Sequence, residues 1–237
     1  MFLNSISIHN TWADFIEENK SLVHEIETKI DIDVMTPTPK KALRFLETDL
    51  YKLKVVILGQ DPYPQDGIAT GKAFQIGGLD DWNKKFRQTS LRNILRLLYK
   101  TYNNIYNYNN IPKFKDIIKK INAGDFNIKN PFNLFESWWN QGVLLLNTSL
   151  SCEIGEPKTH EEIWAPFTKN LIKYISNKRP DLIWFLWGTS AQKQKKYISN
   201  GVFHESRHPM MCSQKYENDF LKADCFNDTK DFINWLG

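Results

Sequence analysis

Residues 54–74 read KVVILGQDPYPQDGIATGKAF, and the interpretation of this stretch decides the fold. Val55–Leu58 is a short, largely β-branched apolar run that stops at Gly59, the pattern of a strand buried on both faces. A stiff polar turn follows. Gln60, Asp61 and Tyr63 are braced by Pro62 and Pro64, and Gly67 and Gly71 let the backbone bend closely. An open α/β sheet carries its ligand site where such a strand ends. Asp, Pro and Gly are also the ordinary residues of a strand exit, so on its own the stretch reads equally well as a plain loop.

Three further apolar runs repeat the pattern. Val143–Leu146 ends in Asn147-Thr148-Ser149, Leu182–Trp187 ends in Gly188-Thr189-Ser190, and Val202-Phe203 leads into Glu205-Ser206-Arg207-His208-Pro209. Helical periodicity fills the intervals, at 11–30, 40–49, 114–121, 132–140, 161–177 and 191–197. A helix over 91–99 has Thr89-Ser90 as its expected cap, and a last helix is expected over 230–236. Strands alternating with helices predict one α/β domain over 1–237, with a central four-stranded, mostly parallel sheet flanked by helices. The Asn- and Tyr-rich tract 102–110 predicts an exposed connection within a longer insertion around 100–131. In such a sheet all the strand ends share one edge, so Gln60, Asp61, Tyr63, Asn147 and His208 converge there. Taken singly, Asn147 is also readable as a turn residue and His208 as a satisfied loop histidine.

Composition narrows the class. The chain is 41% apolar and 24% charged, as in ordinary globular proteins, and its 8 Trp among 14% aromatics suit ring stacking as well as packing. No apolar run approaches the roughly 20 residues needed to span a bilayer, and the N-terminus lacks the marks of a signal peptide. Cys152, Cys212 and Cys225 form no CxxC pair, which argues against a disulfide framework, an iron–sulfur cluster or a structural zinc. A metal-free, cofactor-free intracellular protein is expected. Charge is uneven: residues 84–120 hold ten Lys and Arg against one acid, Asp116, a local +9 (10 − 1) in a chain of net +4. Interleaved with Tyr99, Tyr102, Tyr106 and Tyr108, this segment permits a polyanion partner, nucleic acid above all, or is simply a solvated face.

GQDPYP with the downstream Phe74, VLLLNTSLS at 143–151, FLWGTSAQK at 185–193 and RHPMMCS at 207–213 together resemble family 1 uracil-DNA glycosylases. TPTPKKALRF at 36–45 and WWNQG at 138–142 extend the resemblance, which runs from about residue 30 to the C-terminus. It implies a monofunctional, metal-independent hydrolase of base-excision repair that flips uracil from single- or double-stranded DNA and cuts its N-glycosidic bond.

The resemblance also implies roles. Asn147 reads uracil O4 and N3–H through its amide, an edge that cytosine inverts. Tyr63 lies against C5 and excludes the thymine methyl, Phe74 stacks on the base, and Gln60 holds the O2 side largely through its backbone. Asp61 positions the attacking water and stabilises the cationic sugar. His208, as a neutral imidazole, donates to uracil O2 as negative charge grows there. Pro62, Pro64, Ser90, Gly188, Thr189, Ser190 and the run Ser206, Arg207, Pro209, Met210, Met211, Cys212 and Ser213 match the loops that grip DNA. The basic residues of 84–96 and Lys193, Lys195 and Lys196 add salt-dependent affinity.

The chain departs from the family pattern in places. Pro64 stands where the family has a supporting His. HPMMCS replaces HPSPLS, which sets Cys212 at the position of the leucine wedge, beside Met210 and Met211. A monomer, located in the cytoplasm (or in a nucleus or viral factory), is expected, and a DNA-mimic inhibitor protein is a conceivable partner. The alternative is a non-catalytic DNA-binding or replication-accessory protein that keeps the fold, against which the intact Asp61, Asn147 and His208 speak.

Overall fold

The computed structural model describes residues 2–237. In chain order the elements are α1 (Ala13–Lys29), β1 (Met35–Thr36), α2 (Pro39–Ala42), β2 (Val55–Gly59), α3 (Thr89–Tyr102), α4 (Phe114–Ala123), α5 (Pro131–Asn140), β3 (Val143–Asn147), β4 (Cys152–Glu153), α6 (Glu161–Lys178), β5 (Ile183–Trp187), α7 (Thr189–Gln192) and β6 (Val202–Ser206), with 3₁₀ turns between them. The expected sheet is present: four strands in the order β3-β2-β5-β6, every pair parallel. Met35–Thr36 pairs separately and antiparallel with Cys152–Glu153.

The period of two along each strand explains why these runs are apolar throughout. Val55, Ile57, Val143, Leu145, Phe185 and Trp187 face one core, built with α3, α5 and the C-terminal segment. Val56, Leu58, Leu144, Leu146, Trp184 and Leu186 face the other, built with α1 and α6. A strand buried on both sides has no polar face to display, so alternation vanishes. Val56, Leu58, Leu144 and Leu186 are wholly buried. The cores hold the strand ends in register, with Gly59 opposite Asn147 and Trp187 opposite Ser206.

Several local expectations are corrected. No helix forms over 230–236. The backbone N–H of Asn234 donates to Gln141 Oε1 (2.7 Å) and that of Leu236 to Asn234 Oδ1 (3.1 Å), so side chains take the donors a helix would need. Hydrophobic burial still anchors this tail, through Ile233, Trp235 and the Trp235–Phe185 stack at 5.7 Å. The 40–49 helix shrinks to α2 and a 3₁₀ turn over 44–47, and the 191–197 helix to α7 and a 3₁₀ turn. Thr89 is the first residue of α3 rather than its cap, and no side chain caps that end. The fourth strand is longer than its apolar pair suggested, because His204, Glu205 and Ser206 continue the ladder beside β5.

The segment 100–131 is packed rather than loose. Ile111, Ile117, Phe126 and Ile128 enter the first core, while Tyr106 in the Asn- and Tyr-rich tract stands free at 91% exposure. Among the described residues no helix is long and apolar enough to cross a membrane.

Candidate active site

The turn after β2 is held by the loop that follows β4. Asp61 Oδ2 accepts the backbone N–H of Lys158 at 2.8 Å. The Cys152 thiol donates to Pro62 O (3.8 Å) and the Gly155 N–H to Pro64 O (2.8 Å). Three consecutive attachments therefore fix the turn from a segment about ninety residues away. Lys158 reaches Asp61 from a left-handed backbone, φ 69°, which a side-chain-bearing residue adopts only when its surroundings enforce it.

Asp61 Oδ1 is buried and accepts no hydrogen bond. Burial pushes the Asp61 carboxyl up to about 6, against the lowering pull of the Lys158 N–H and the Ser149 hydroxyl; the charge of Glu161 adds to the rise. Ser149 is itself locked, donating to Ser151 O at 2.8 Å. The Gln60 backbone carbonyl accepts both the Thr148 hydroxyl (3.0 Å) and the Ser149 N–H (2.8 Å), while its side chain turns to Glu161 (3.4 Å).

Asn147 is 7% exposed, and among the described residues nothing bonds to its amide. Its amide atoms are not sealed off but open to the cavity, where water meets them until a ligand supplies the partners. Gly59 makes room for it: a Cβ there would lie 2.2 Å from Asn147 Oδ1. The glycine is thus required by the neighbouring strand.

Phe74 also sits in the left-handed region, φ 67°, with its ring 5.5 Å from that of Trp187 and 6.0 Å from that of His208. Its neighbours are clamped. Lys72 Nζ (2.6 Å) and Gln75 Nε2 (3.2 Å) both donate to the same oxygen, Oε1 of Glu136 on α5. The Lys72 ammonium is completely buried and rests 4.6 Å from the centre of the Trp139 ring. Burial lowers it to about 8 despite Glu136. Tyr63 donates to Phe74 O at 3.4 Å, and burial raises its phenol well above the usual range.

His208 Nδ1 accepts the Met210 N–H at 3.2 Å, so Nε2 carries the proton of the neutral ring. Burial lowers its pKa below the ordinary 6.5. The loop behind it is stapled: Pro209 O accepts from Asn93 Nδ2 (2.6 Å), Arg207 N–H donates to Asn218 O (2.8 Å), and Asp219 takes the Ser213 N–H (2.5 Å). The Arg207 guanidinium lies 3.5 Å from the Tyr216 ring centre.

A cavity of about 410 Å³ joins these parts at the carboxyl edge of the sheet. Gln60, Asp61, Pro62, Tyr63, Pro64, Phe74, Ser90, Asn147, His208 and Met210 line it, as do Lys72 and Lys158. Gly188 stays close beneath, since a Cβ on it would meet His208 Cβ at 2.9 Å. The structure does not bring every expected residue to the surface of this site. Ser206 is 2% exposed and donates to Arg207 O (3.0 Å), because it belongs to the β6 ladder. Cys212 turns inward, its thiol donating to Pro209 O (3.3 Å), whereas Met210 and Met211 are 56% and 53% exposed. Gly188, Thr189, Ser190, Arg207, Pro209, Met211 and Ser213 do not line the cavity either. Lys158, Glu136 and Lys72 were not found from the sequence. Only Glu136, a lone acid in the aromatic run FESWW, carried a local signal.

Comparison with known proteins gives a consistent picture. The family model of the uracil DNA glycosylase superfamily matches residues 45–230. The uracil-DNA glycosylase of Streptococcus gordonii is 32% identical over 246 residues, covering 96% of this chain and 99% of its own. That of Buchnera aphidicola is 33% identical over 244 residues, covering 95% of each. The crystal structure of a variant of mimivirus UNG in complex with UGI superposes with a TM-score of 0.74 at 22% identity, covering 99% of this chain and 90% of that one. This last likeness speaks to the fold.

Two outcomes are expected from the geometry alone. Glu136→Ala strands the buried Lys72 charge and lowers unfolding stability in urea by about 2–3 kcal/mol, while Glu136→Gln, which keeps an acceptor, loses less. Asp61→Asn raises the melting temperature at pH 7. The folded chain holds the Asp61 proton up to about 6, above the ordinary 3.8, so stability declines as pH rises through that interval and the amide avoids the loss.

Proposed function

The chain belongs to the uracil DNA glycosylase superfamily and removes uracil from DNA as a base-excision repair glycosylase, and from that premise we propose how its residues divide the work. The observation that carries the proposal is the grouping of an unpaired Asn147 amide, a neutral His208 and a half-satisfied Asp61 around one cavity.

Asn147 offers a donor to uracil O4 and an acceptor to N3–H, and its unspent amide supports that role. Cytosine presents the reverse pattern and is refused. Phe74 stacks on the base, held in its strained conformation by the Glu136 clamp. Tyr63, tethered to Phe74 O, closes the space at C5 where thymine carries its methyl. Asp61, held in place through Oδ2, positions the attacking water. In the ionised state the same carboxylate stabilises the oxocarbenium-like sugar. His208 points Nε2–H at uracil O2, where charge accumulates as the bond to C1′ breaks. Lowered by burial, it acts as a hydrogen-bond donor to the uracil anion and not as a proton source. Hydrolysis is completed by water, with no metal and no second, strand-cutting reaction.

The DNA loops follow from the same frame. Pro62, Pro64 and Ser90 line the cavity, and Thr189 and Ser190 offer backbone N–H groups and hydroxyls to phosphates, beside Gly188, whose own N–H is spent on Ser206 O. Met210 and Met211 together take the part of the apolar wedge that fills the space left by the flipped base. Cys212, tucked against Pro209, does not. Every group in the scheme comes from one chain, which suits a monomer. A DNA-mimic protein would compete for these loops, a reading prompted by the mimivirus UNG variant solved with UGI.

The purified protein, in chelator, is expected to release uracil from both single- and double-stranded oligonucleotides; no release from either overturns the reading. Asp61→Asn and His208→Leu should each lower kcat by about 10²-fold or more with DNA affinity retained. Since Asp61 acts ionised, kcat/KM should fall on the acid side with an apparent pKa of about 6. Replacing Met210 and Met211 together by Ala should lower kcat/KM on duplex about tenfold, about 1.4 kcal/mol, and change it little on single strands. Cys212→Ala should leave both rates near wild type.

A further inference from the structure

Beside the uracil cavity lies a second hollow of about 610 Å³, larger than the first. The two share Tyr63, Pro64, Ser90 and Met210 as a common wall. The floor of the second is apolar: Ile68, Ile76, Leu79 and Phe86. It is also firmly built. Ala69 bridges to Ile76, Gly77 N–H donates to Ile68 O (2.8 Å), and a Cβ on Gly77 would meet Gly67 O at 2.6 Å. The Phe86 ring is held by Phe114 edge-on at 5.4 Å and by the Arg92 guanidinium at 5.2 Å, which also donates to Phe86 O.

Lys84, Lys85 and Arg87 form the rim. Lys84 is paired with Asp80, but among the described residues neither Lys85 nor Arg87 has an ion-pair partner, and both are exposed. A rigid apolar floor with unspent cations at its lip is the combination that holds a nucleotide: the base lies on the floor and the phosphate meets the rim.

We propose that this hollow receives the base next to uracil on the same strand, with the intervening phosphate drawn toward Lys85 and Arg87. The proposal rests on uracil occupying the first cavity. With uracil there, the backbone crosses the shared Tyr63–Pro64 wall, and the neighbouring base arrives over Ile68 and Leu79. Ile68, Ile76, Leu79 and Phe86 meet any base by apolar contact, while Gln65, Gln88 and Thr89 stand among the other lining residues. In a duplex that base is already stacked on its own neighbours. In a single strand it is free, and the hollow therefore contributes most on single-stranded DNA.

The test compares single-stranded oligonucleotides in which the nucleotide on the 5′ or the 3′ side of uracil is replaced by an abasic tetrahydrofuran. Uracil release from the unmodified strand reports the activity itself, and only the comparison between flanks reports on the hollow. The abasic substitution on one side is expected to lower kcat/KM by at least about fivefold. Ile68→Asn is expected to slow the unmodified strand and to erase most of that difference. Lys85→Ala with Arg87→Ala, both at the surface and harmless to folding, is expected to reduce the slope of log kcat/KM against log salt by about 0.7. Equal rates with either flank abasic overturn the proposal. So does a flank effect that survives in full in Ile68→Asn, or a salt slope unmoved by the Lys85 and Arg87 pair.

Discussion

The Lys158 backbone N–H donates to Asp61 Oδ2 across 2.8 Å, and much of the site hangs on that contact. It joins the turn after β2 to the loop after β4, it fixes which carboxylate oxygen is spent, and it leaves the other buried without a partner. It also moderates an expensive arrangement. Burial alone drives the carboxyl toward its neutral form, while the backbone N–H and the Ser149 hydroxyl pull it back toward the charged form. The result, about 6, keeps Asp61 mostly ionised at neutral pH but close to the point where it would not be.

Asp61 is not the only costly feature. Phe74 and Lys158 hold left-handed backbones, and Lys72 keeps an ammonium out of water. All three line the cavity that Asp61 lines. Strain and buried charge gather around one cavity, where a fold serves a ligand rather than its own stability. The two cores on either side of the sheet supply the compensating stability, with Trp138, Trp164, Trp184 and Trp235 fully buried. Glu136 links the two kinds of region: it neutralises Lys72 and, through Lys72 and Gln75, braces the backbone on either side of Phe74.

The strands were legible because they are buried on both faces and therefore apolar without interruption, as in Val55–Leu58 and Val143–Leu146. The long helices α1, α3 and α6 were legible from their periodicity. The short elements were not. Over 230–236 the apolar spacing of Ile233 and Leu236 suits a helix, yet Gln141 and Asn234 capture the backbone donors, and Gln141 lies some ninety residues away. The wedge loop shows the same limit. Its letters place Cys212 at the leucine position, but stapling by Asn93 and Asp219 turns Cys212 inward and leaves Met210 and Met211 outside.

By itself, then, the sequence determined the sheet and the edge at which its loops meet, because these depend on local pattern; contiguous motifs, through the family they resemble, singled out Asp61, Tyr63, Phe74, Asn147 and His208. The tertiary structure alone decided what surrounds them. That Gly59 is glycine for the sake of Asn147, that Lys158 orients Asp61, and that Glu136 braces the segment around Phe74 are contacts between residues far apart in the chain. No periodicity or spacing encodes such pairs. They exist only once the parallel strands have set distant loops side by side.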